Sequence, residues 1–480
     1  MTPGLKNTGE IDDLVQTLRP EYERLSDAVW GTPETCYGER KSAAAHAGQL
    51  RAAGFRVSEG VAGIPTALIG EAGGEDGPLI AFLGEYDALP GLSQKEGMNT
   101  HDPLEAQGNG HGCGHNLLGA AAMLAAASVK RWLEENDLPG RVRYYGCPAE
   151  EGGGAKAFMV REGLFDDVDI AISWHPENFC EVLKANSLAN TRVDFLFHGR
   201  SSHAAMAPHL GRSALDAVEL TSVGCNYLRE HIPPDCRLHY AVLDSGGIAP
   251  NVVQNFARVR YSVRASDNAA MRDLYARVCD VARGAALMTG TTLEIRPISA
   301  VSNLLANTPL ETAMWEELES LGPPDFNDDD IAFATRMRES ISEEDITYTH
   351  RRFGLEPDPD RALCDFVVPR DAPRMKMFGS TDLGDVSWVV PLVQMQGATC
   401  AIGTPFHSWQ LVAQGKSDMA KKGMVHAATV MARTAIRALR DPALINAAKA
   451  DLRHRVGADG YVSPLPEGID PPIREMAPTA

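Results

Sequence analysis

The run Leu117-Leu118-Gly119-Ala120-Ala121-Ala122-Met123-Leu124 has no polar face, and it constrains the fold more than any other segment. A helix that is apolar all round has to be covered all round, so this one reads as a core helix. Directly before it stands Gly108-Asn109-Gly110-His111-Gly112-Cys113-Gly114-His115-Asn116. Soft or borderline metal ligands alternate there with glycine, which lets the backbone turn tightly while the side chains converge. The candidate ligands therefore sit in a loop that opens a buried helix, a rigid place to hold a metal. A metal bound there points to hydrolysis.

Apolar positions at helical spacing (Ile11, Leu14, Val15, Leu18, Tyr22, Leu25, Val29) predict an opening amphipathic helix. Short apolar runs follow, bounded by Gly and Asp: Ala67–Ile69, Leu79–Leu83, Val142–Tyr145 and Ile170–Trp174. With the helix near 117–135 between the second and third, strands and helices alternate, which predicts an α/β layer architecture. Ionisable residues follow these strands directly: Glu85 and Asp87, then Glu150 and Glu151, then His175. Open α/β sheets place their sites at such carboxyl ends. Residues 188–297 read as a separate unit. The segments 191–197 and 257–264 alternate like half-exposed antiparallel strands, and helical patterns at 212–230 and 268–288 complete a compact α+β insert. A discontinuous domain of residues 1–187 and 298–480 would surround it. The acidic, Pro-punctuated stretch 323–372 predicts a surface insertion around one helix. The Pro-rich tail after 455 predicts extended or poorly ordered chain.

A net charge of −19 argues against nucleic acid or an anionic membrane surface as partner. The N-terminal residues Met1–Asn7 lack the apolar stretch of a secretory signal, and no apolar run is long enough to span a bilayer. The nine cysteines are scattered without a C-x-x-C pair, which suits reduced thiols in a cytoplasmic protein. Cys113 stands apart from the rest because of its neighbours.

Further along, Pro148-Ala149-Glu150-Glu151-Gly152-Gly153-Gly154 places adjacent carboxylates in a glycine loop. One can bind a metal while the other handles protons. Most adjacent glutamates, taken alone, are simply solvated. Trp174-His175-Pro176 and Gly403-Thr404-Pro405-Phe406-His407-Ser408 each hold a histidine that is, in isolation, more often structural. Asp87 either caps a turn or orients a ligand histidine. Together the chain supplies a thiolate, three imidazoles, a carboxylate and a spare glutamate in Gly- or Pro-shaped loops. That set suits two borderline divalent ions with open positions for water and substrate.

These residues resemble the dinuclear metallo-aminoacylases and carboxypeptidases, in particular their auxin-conjugate and N-acyl-amino-acid amidohydrolase branch. The branch pattern D-x-D-A-L-P, H-x-C-G-H-D, P-x-E-E-G and H-P is similar to Glu85–Pro90, His111–Asn116, Pro148–Gly152 and His175–Pro176. Its lid pattern resembles Gly199–Ala205, Pro208, Gly211–Ala214, Gly246–Val253 and the strand ending at Arg264. Within the branch the likeness is strongest to one subunit type of the p-aminobenzoyl-glutamate hydrolases.

The resemblance implies a zinc-peptidase-like α/β catalytic domain with an inserted α+β lid and dimerisation domain. It implies two divalent metal ions per chain, Mn²⁺ or Zn²⁺, held by Cys113, His115, Glu151, His175 and His407, with Cys113 bridging them. Glu150 takes the role of general base and then acid, and Asp87 stands behind a ligand. His203 reaches the scissile carbonyl, often across a dimer interface, and Asn251 and Arg264 hold the substrate's carboxylate. The expected reaction is metal-dependent hydrolysis of a small N-acyl amino acid, in particular an N-aroyl one such as p-aminobenzoyl-glutamate. Dipeptides and indole-acetyl amino acids are the alternatives. A homodimer through the lid, or a homologous partner subunit, is expected.

Glu85 and Asn116 depart from the family's aspartates, and Ser380-Thr381-Asp382 replaces its Ser-Glu-Asp. Loss of the carboxylate at 116 is expected to affect ligand orientation or metal preference. Two rival readings remain open. One makes Cys113 a nucleophile with His115 as base; the other makes the chain a partner-dependent or non-catalytic subunit.

Overall fold

The strand Leu79–Glu85 is buried at every position, which is why its apolar run shows no alternation. It lies inside the larger of two sheets in a computed structural model that describes residues 8–74, 76–376, 378–458 and 460–477. The strands are β1 (Arg56–Glu59), β2 (Leu68–Gly73), β3 (Leu79–Glu85), β4 (Arg141–Cys147), β5 (Ile170–Glu177), β6 (Glu181–Val182), β7 (Ala189–His198), β8 (Arg237–Asp244), β9 (Phe256–Ala265), β10 (Thr292–Val301) and β11 (Leu392–Ala398). The larger sheet has the order β1-β2-β4-β3-β5-β11-β6, and the smaller one β10-β7-β9-β8.

In the larger sheet β4, β3, β5 and β11 are parallel neighbours, whereas β1, β2 and β6 pair antiparallel at its edges. Helices α1 (Thr8–Trp30), α2 (Arg40–Ala52), α3 (His115–Glu135) and α4 (Ala155–Arg161) follow in chain order, with α3 joining β3 to β4 and α4 joining β4 to β5. The chain thus leaves β3 for one neighbour and then returns to its other side. That reversal opens a crevice at the carboxyl ends of β3 and β5. The ladder between them covers only Ile80–Phe82 against Ile170–Ile172. Beyond it, β5 keeps only β11 beside it, so Pro176 can sit in a strand without costing a ladder bond on the β3 side.

The smaller sheet is antiparallel and carries α5 (Ala214–Leu228) and α6 (Asn268–Thr289) on the face of Val193, Phe195, Tyr261 and Val263. The molecule is therefore α/β with two domains. Pairing of β10 with β7 continues to Val301↔Asn190, so the sheet runs a few residues past 297.

Three expectations are corrected. His175 lies inside β5 rather than after it, because β11 pairs on to Glu177. The 323–372 stretch holds two helices, Asp328–Arg338 and Glu343–Arg352, each capped at its N-terminus by Asn327 or Ser342. The described part of the tail is anchored: Leu465 is buried, and the Tyr461 hydroxyl donates to Asp385 Oδ1 at 2.7 Å. Among the described residues no helix is long and apolar enough to cross a membrane, and all nine cysteines are buried and unpaired.

Candidate metal centre

The residues singled out at strand ends and in glycine loops converge on the crevice. Cys113, His115 and His175 place ligand atoms within 4.8 Å of one another, and so do Cys113, Glu151 and His407. Cys113 belongs to both groups, so a single thiol stands between two sets of donors. A third group joins Glu85, His115 and Glu150.

Local structure orients each donor. Gly114 adopts a left-handed conformation and starts α3, so that His115 is its first residue. His115 Nδ1 is 2.9 Å from Asp87 Oδ1, which directs Nε2 into the crevice. Asp87 Oδ2 also accepts the Glu151 amide at 2.9 Å. One carboxylate therefore ties both donor groups together. His175 Nδ1 donates to the Pro176 carbonyl at 2.8 Å, leaving Nε2 3.5 Å from Cys113 Sγ. Burial and the neighbouring His115 lower the His175 pKa and favour its neutral ring.

The His407 amide donates to the Gly112 carbonyl at 2.8 Å, pinning one loop to the other, and His407 Nε2 is 3.2 Å from Glu151 Oε1. His407 and Ala149 have φ of 58° and 56°. Left-handed backbone costs a non-glycine residue roughly 1–2 kcal/mol, and here it aims an imidazole and the Glu150-Glu151 pair into the crevice.

Two features fit these groups to a divalent ion. His115 Nε2 is fully buried and makes no hydrogen bond, although Glu85 Oε2 is 3.3 Å away. The donors combine thiol, imidazole and carboxylate, which suits a borderline ion with N, S and O ligation. Burial and the charge of Glu151 push the Cys113 thiol well above the ordinary range.

Glu150 is half-buried. Burial first, then the charges of Glu85, Glu151 and Asp382, raise its pKa well above that of an exposed glutamate. A carboxyl held this way binds a proton more tightly than an exposed one, the direction that general acid–base work requires.

Two residues of this neighbourhood were missed in the sequence. Lys156 is fully buried on α4, with Nζ 2.7 Å from Glu85 Oε1 and 2.6 Å from Asp382 Oδ1. Its signal was a lysine inside the apolar run Ala155–Val160. Glu39, also buried, accepts the Ala149 amide at 2.9 Å and so supports the loop from behind.

Asn116 does not face the donors. Its Nδ2 donates to Ser26 Oγ and the Gly415 carbonyl, both at 3.0 Å. A carboxylate could not make the second bond, so the departure from aspartate serves packing rather than ligand orientation. His111 likewise lies outside the three groups and contacts the Val29 carbonyl at 3.0 Å.

On the smaller domain, Arg264 donates through Nη1 to Ser380 Oγ at 3.2 Å and keeps a buried Nε without a partner. His203 and Asn251 are exposed neighbours, the Ala204 amide donating to the Asn251 carbonyl. Neither belongs to the donor groups of this chain.

Residues 81–354 match the family model described as "Peptidase family M20/M25/M40". The chain is 44% identical to one of the subunits of Escherichia coli p-aminobenzoyl-glutamate hydrolase, over 96% of its own length and 98% of that protein's. It is 29% identical to the mouse Xaa-Arg dipeptidase, covering 94% and 95% of the two chains. In fold it is similar to the Bacillus subtilis YXEP protein, described as a dinuclear metal-binding peptidase of the M20 family. That match has a TM-score of 0.56 at 16% identity, over 88% of this chain and 99% of the other. Family and geometry agree: the chain belongs to peptidase family M20/M25/M40 and is a metal-dependent amidohydrolase.

Proposed function

We propose that the chain hydrolyses the amide bond of N-acyl amino acids, with an N-aroyl glutamate such as p-aminobenzoyl-glutamate as the preferred class. The observation that carries this reading is the pair of donor groups sharing Cys113 with Glu150 set beside them. The 44% identity to a p-aminobenzoyl-glutamate hydrolase subunit supports the substrate class.

In this reading Cys113, His115, His175, Glu151 and His407 would hold two divalent ions, Mn²⁺ or Zn²⁺. Such ions supply Lewis-acid polarisation and acidify the water that they bind. Glu150 removes the proton from the attacking water and returns it to the leaving amine nitrogen. Asp87 holds His115 and the Glu151 backbone in register. Arg264 and Asn251 receive the carboxylate beside the cleaved amide. His203 is exposed on the 188–297 lid domain, and a second copy of the chain, or a homologous subunit, brings it to the scissile carbonyl. Chelation is expected to abolish hydrolysis of p-aminobenzoyl-glutamate and added Mn²⁺ or Zn²⁺ to restore it. Activity that survives chelation but is lost to iodoacetamide would overturn the reading in favour of a cysteine nucleophile.

Two kinds of p-aminobenzoyl-glutamate hydrolase subunit occur among the relatives, which supports a second reading in which turnover requires a homologous partner. Assay of the purified chain alone separates the two.

A further inference from the structure

The sheet of the smaller domain has one face covered by α5 and α6, and the opposite face, half-buried or buried, is cationic. Side chains alternate along each strand, so Asn190, Arg192 and Asp194 of β7 share this face with Arg258, Arg260, Ser262 and Arg264 of β9, as the register shows. Asp194 is fully buried and holds both Arg258 and Arg260, the latter at 2.7 Å. Those two arginines are thereby neutralised in part.

Arg192 is different. It is half-buried and has no hydrogen bond or ion pair among the described residues. Arg264, the next arginine on this face, leaves its buried Nε unpartnered. Each lies within electrostatic reach of Glu150, and Arg192 lies within reach of Arg264.

The catalytic loop is shaped around Arg192. A side chain at Gly152 would overlap Arg192 Nη1, so glycine there admits the guanidinium against the Glu150-Glu151 loop. Ser299 Oγ of β10, the residue opposite Arg192, donates to the Gly152 carbonyl at 3.0 Å and fixes the approach. The two guanidinium groups repel each other, and Glu150, the carboxylate that both reach, can offset only one of their charges. Such a pair suits two carboxylates, each able to accept bidentate hydrogen bonds.

We infer that Arg192 is a specificity-determining residue that binds the side-chain carboxylate of the substrate's amino acid, while Arg264 takes the α-carboxylate. This rests on the amidohydrolase reading above and names the side chain that selects an acidic amino acid in its substrates. Glutamate and aspartate conjugates are favoured over neutral isosteres, and basic amino acids are repelled.

The test compares N-(p-aminobenzoyl)-glutamate with N-(p-aminobenzoyl)-glutamine, which differ by one charge at nearly equal size. Arg192→Gln is expected to lower the ratio of the two kcat/KM values by about tenfold or more, mainly through KM for the glutamate conjugate. Arg192→Lys is expected to keep the larger part of the ratio. A measurement on the wild-type enzyme alone guards against a variant that does not fold. Glutarate should inhibit about tenfold more tightly than pentanoate, a monocarboxylate of the same chain length. A ratio that does not depend on the charge at 192, or equal inhibition by the two acids, would overturn the role of Arg192 and leave the reaction standing. A wild-type enzyme that hydrolyses neither conjugate, alone or with a partner subunit, would overturn the reaction and this inference with it.

Discussion

Asp87 Oδ1 lies 2.9 Å from His115 Nδ1, and both residues are buried. The other oxygen of that carboxylate holds the Glu151 amide, so the contact orients one donor and positions the loop of another. Asp87→Asn keeps the shape and removes the charge. The expected result is a roughly 10–100-fold loss of metal affinity, with the fold retained. Titration of the chelated protein with Zn²⁺ or Mn²⁺ checks it, and an unchanged affinity would contradict the role.

Buried Lys156 contacts both Glu85 and Asp382, which are buried too. Lys156→Met leaves two buried carboxylates without their cation, a change that typically costs about 3–5 kcal/mol. Urea denaturation in the presence of chelator measures the loss without interference from metal binding. A variant as stable as the parent would show that this network contributes nothing net.

Asn116→Asp restores the family's usual residue and tests what the departure does. The carboxylate cannot donate to the Gly415 carbonyl that Asn116 Nδ2 reaches. A loss of about 1–3 kcal/mol in stability is expected, with little change in metal affinity. A clear gain in affinity would mean that position 116 acts on the ligands after all.

Acid should weaken the fold through His46. Burial lowers its pKa to about 4, and its ring packs against Tyr86 and Tyr144 at centroid distances of 4.7 and 6.1 Å. Because the unfolded chain binds the proton more tightly, this stability is fully present above pH ~6.5. It falls as the pH drops through the window toward about 4. His46→Gln should flatten that part of the stability–pH curve relative to the parent. Parallel curves from denaturation at several pH values would contradict the assignment.

The convergence of Cys113, His115, Glu150, Glu151 and His175 was legible because strand ends and glycine loops leave a mark in sequence. The parallel order of β4, β3, β5 and β11 brings those ends to one crevice. His407 was legible only through its turn; its left-handed backbone and bond to Gly112 belong to tertiary structure. Lys156 and Glu39 were missed because charge is ordinarily a sign of exposure, and only the apolar run around Lys156 hinted otherwise. The second helix of the 323–372 stretch was missed because its composition is polar. Arg352 at its end clasps Glu177 at the end of β5 at 2.5 Å, so the insertion braces the strand that carries His175. Arg192 reads in sequence as one member of an alternating strand, and only the register shows which charges are paired.

In the proposed reaction Glu150 moves the proton, while Cys113, His115, Glu151, His175 and His407 hold the metal. Metal content and turnover of p-aminobenzoyl-glutamate, measured side by side for the wild-type chain and Glu150→Gln, test it most directly. Two divalent ions per chain are expected in both proteins, with kcat of the variant lower by about 10²–10⁴-fold. Near-normal turnover by Glu150→Gln, or a variant that loses its metal together with its activity, would contradict it.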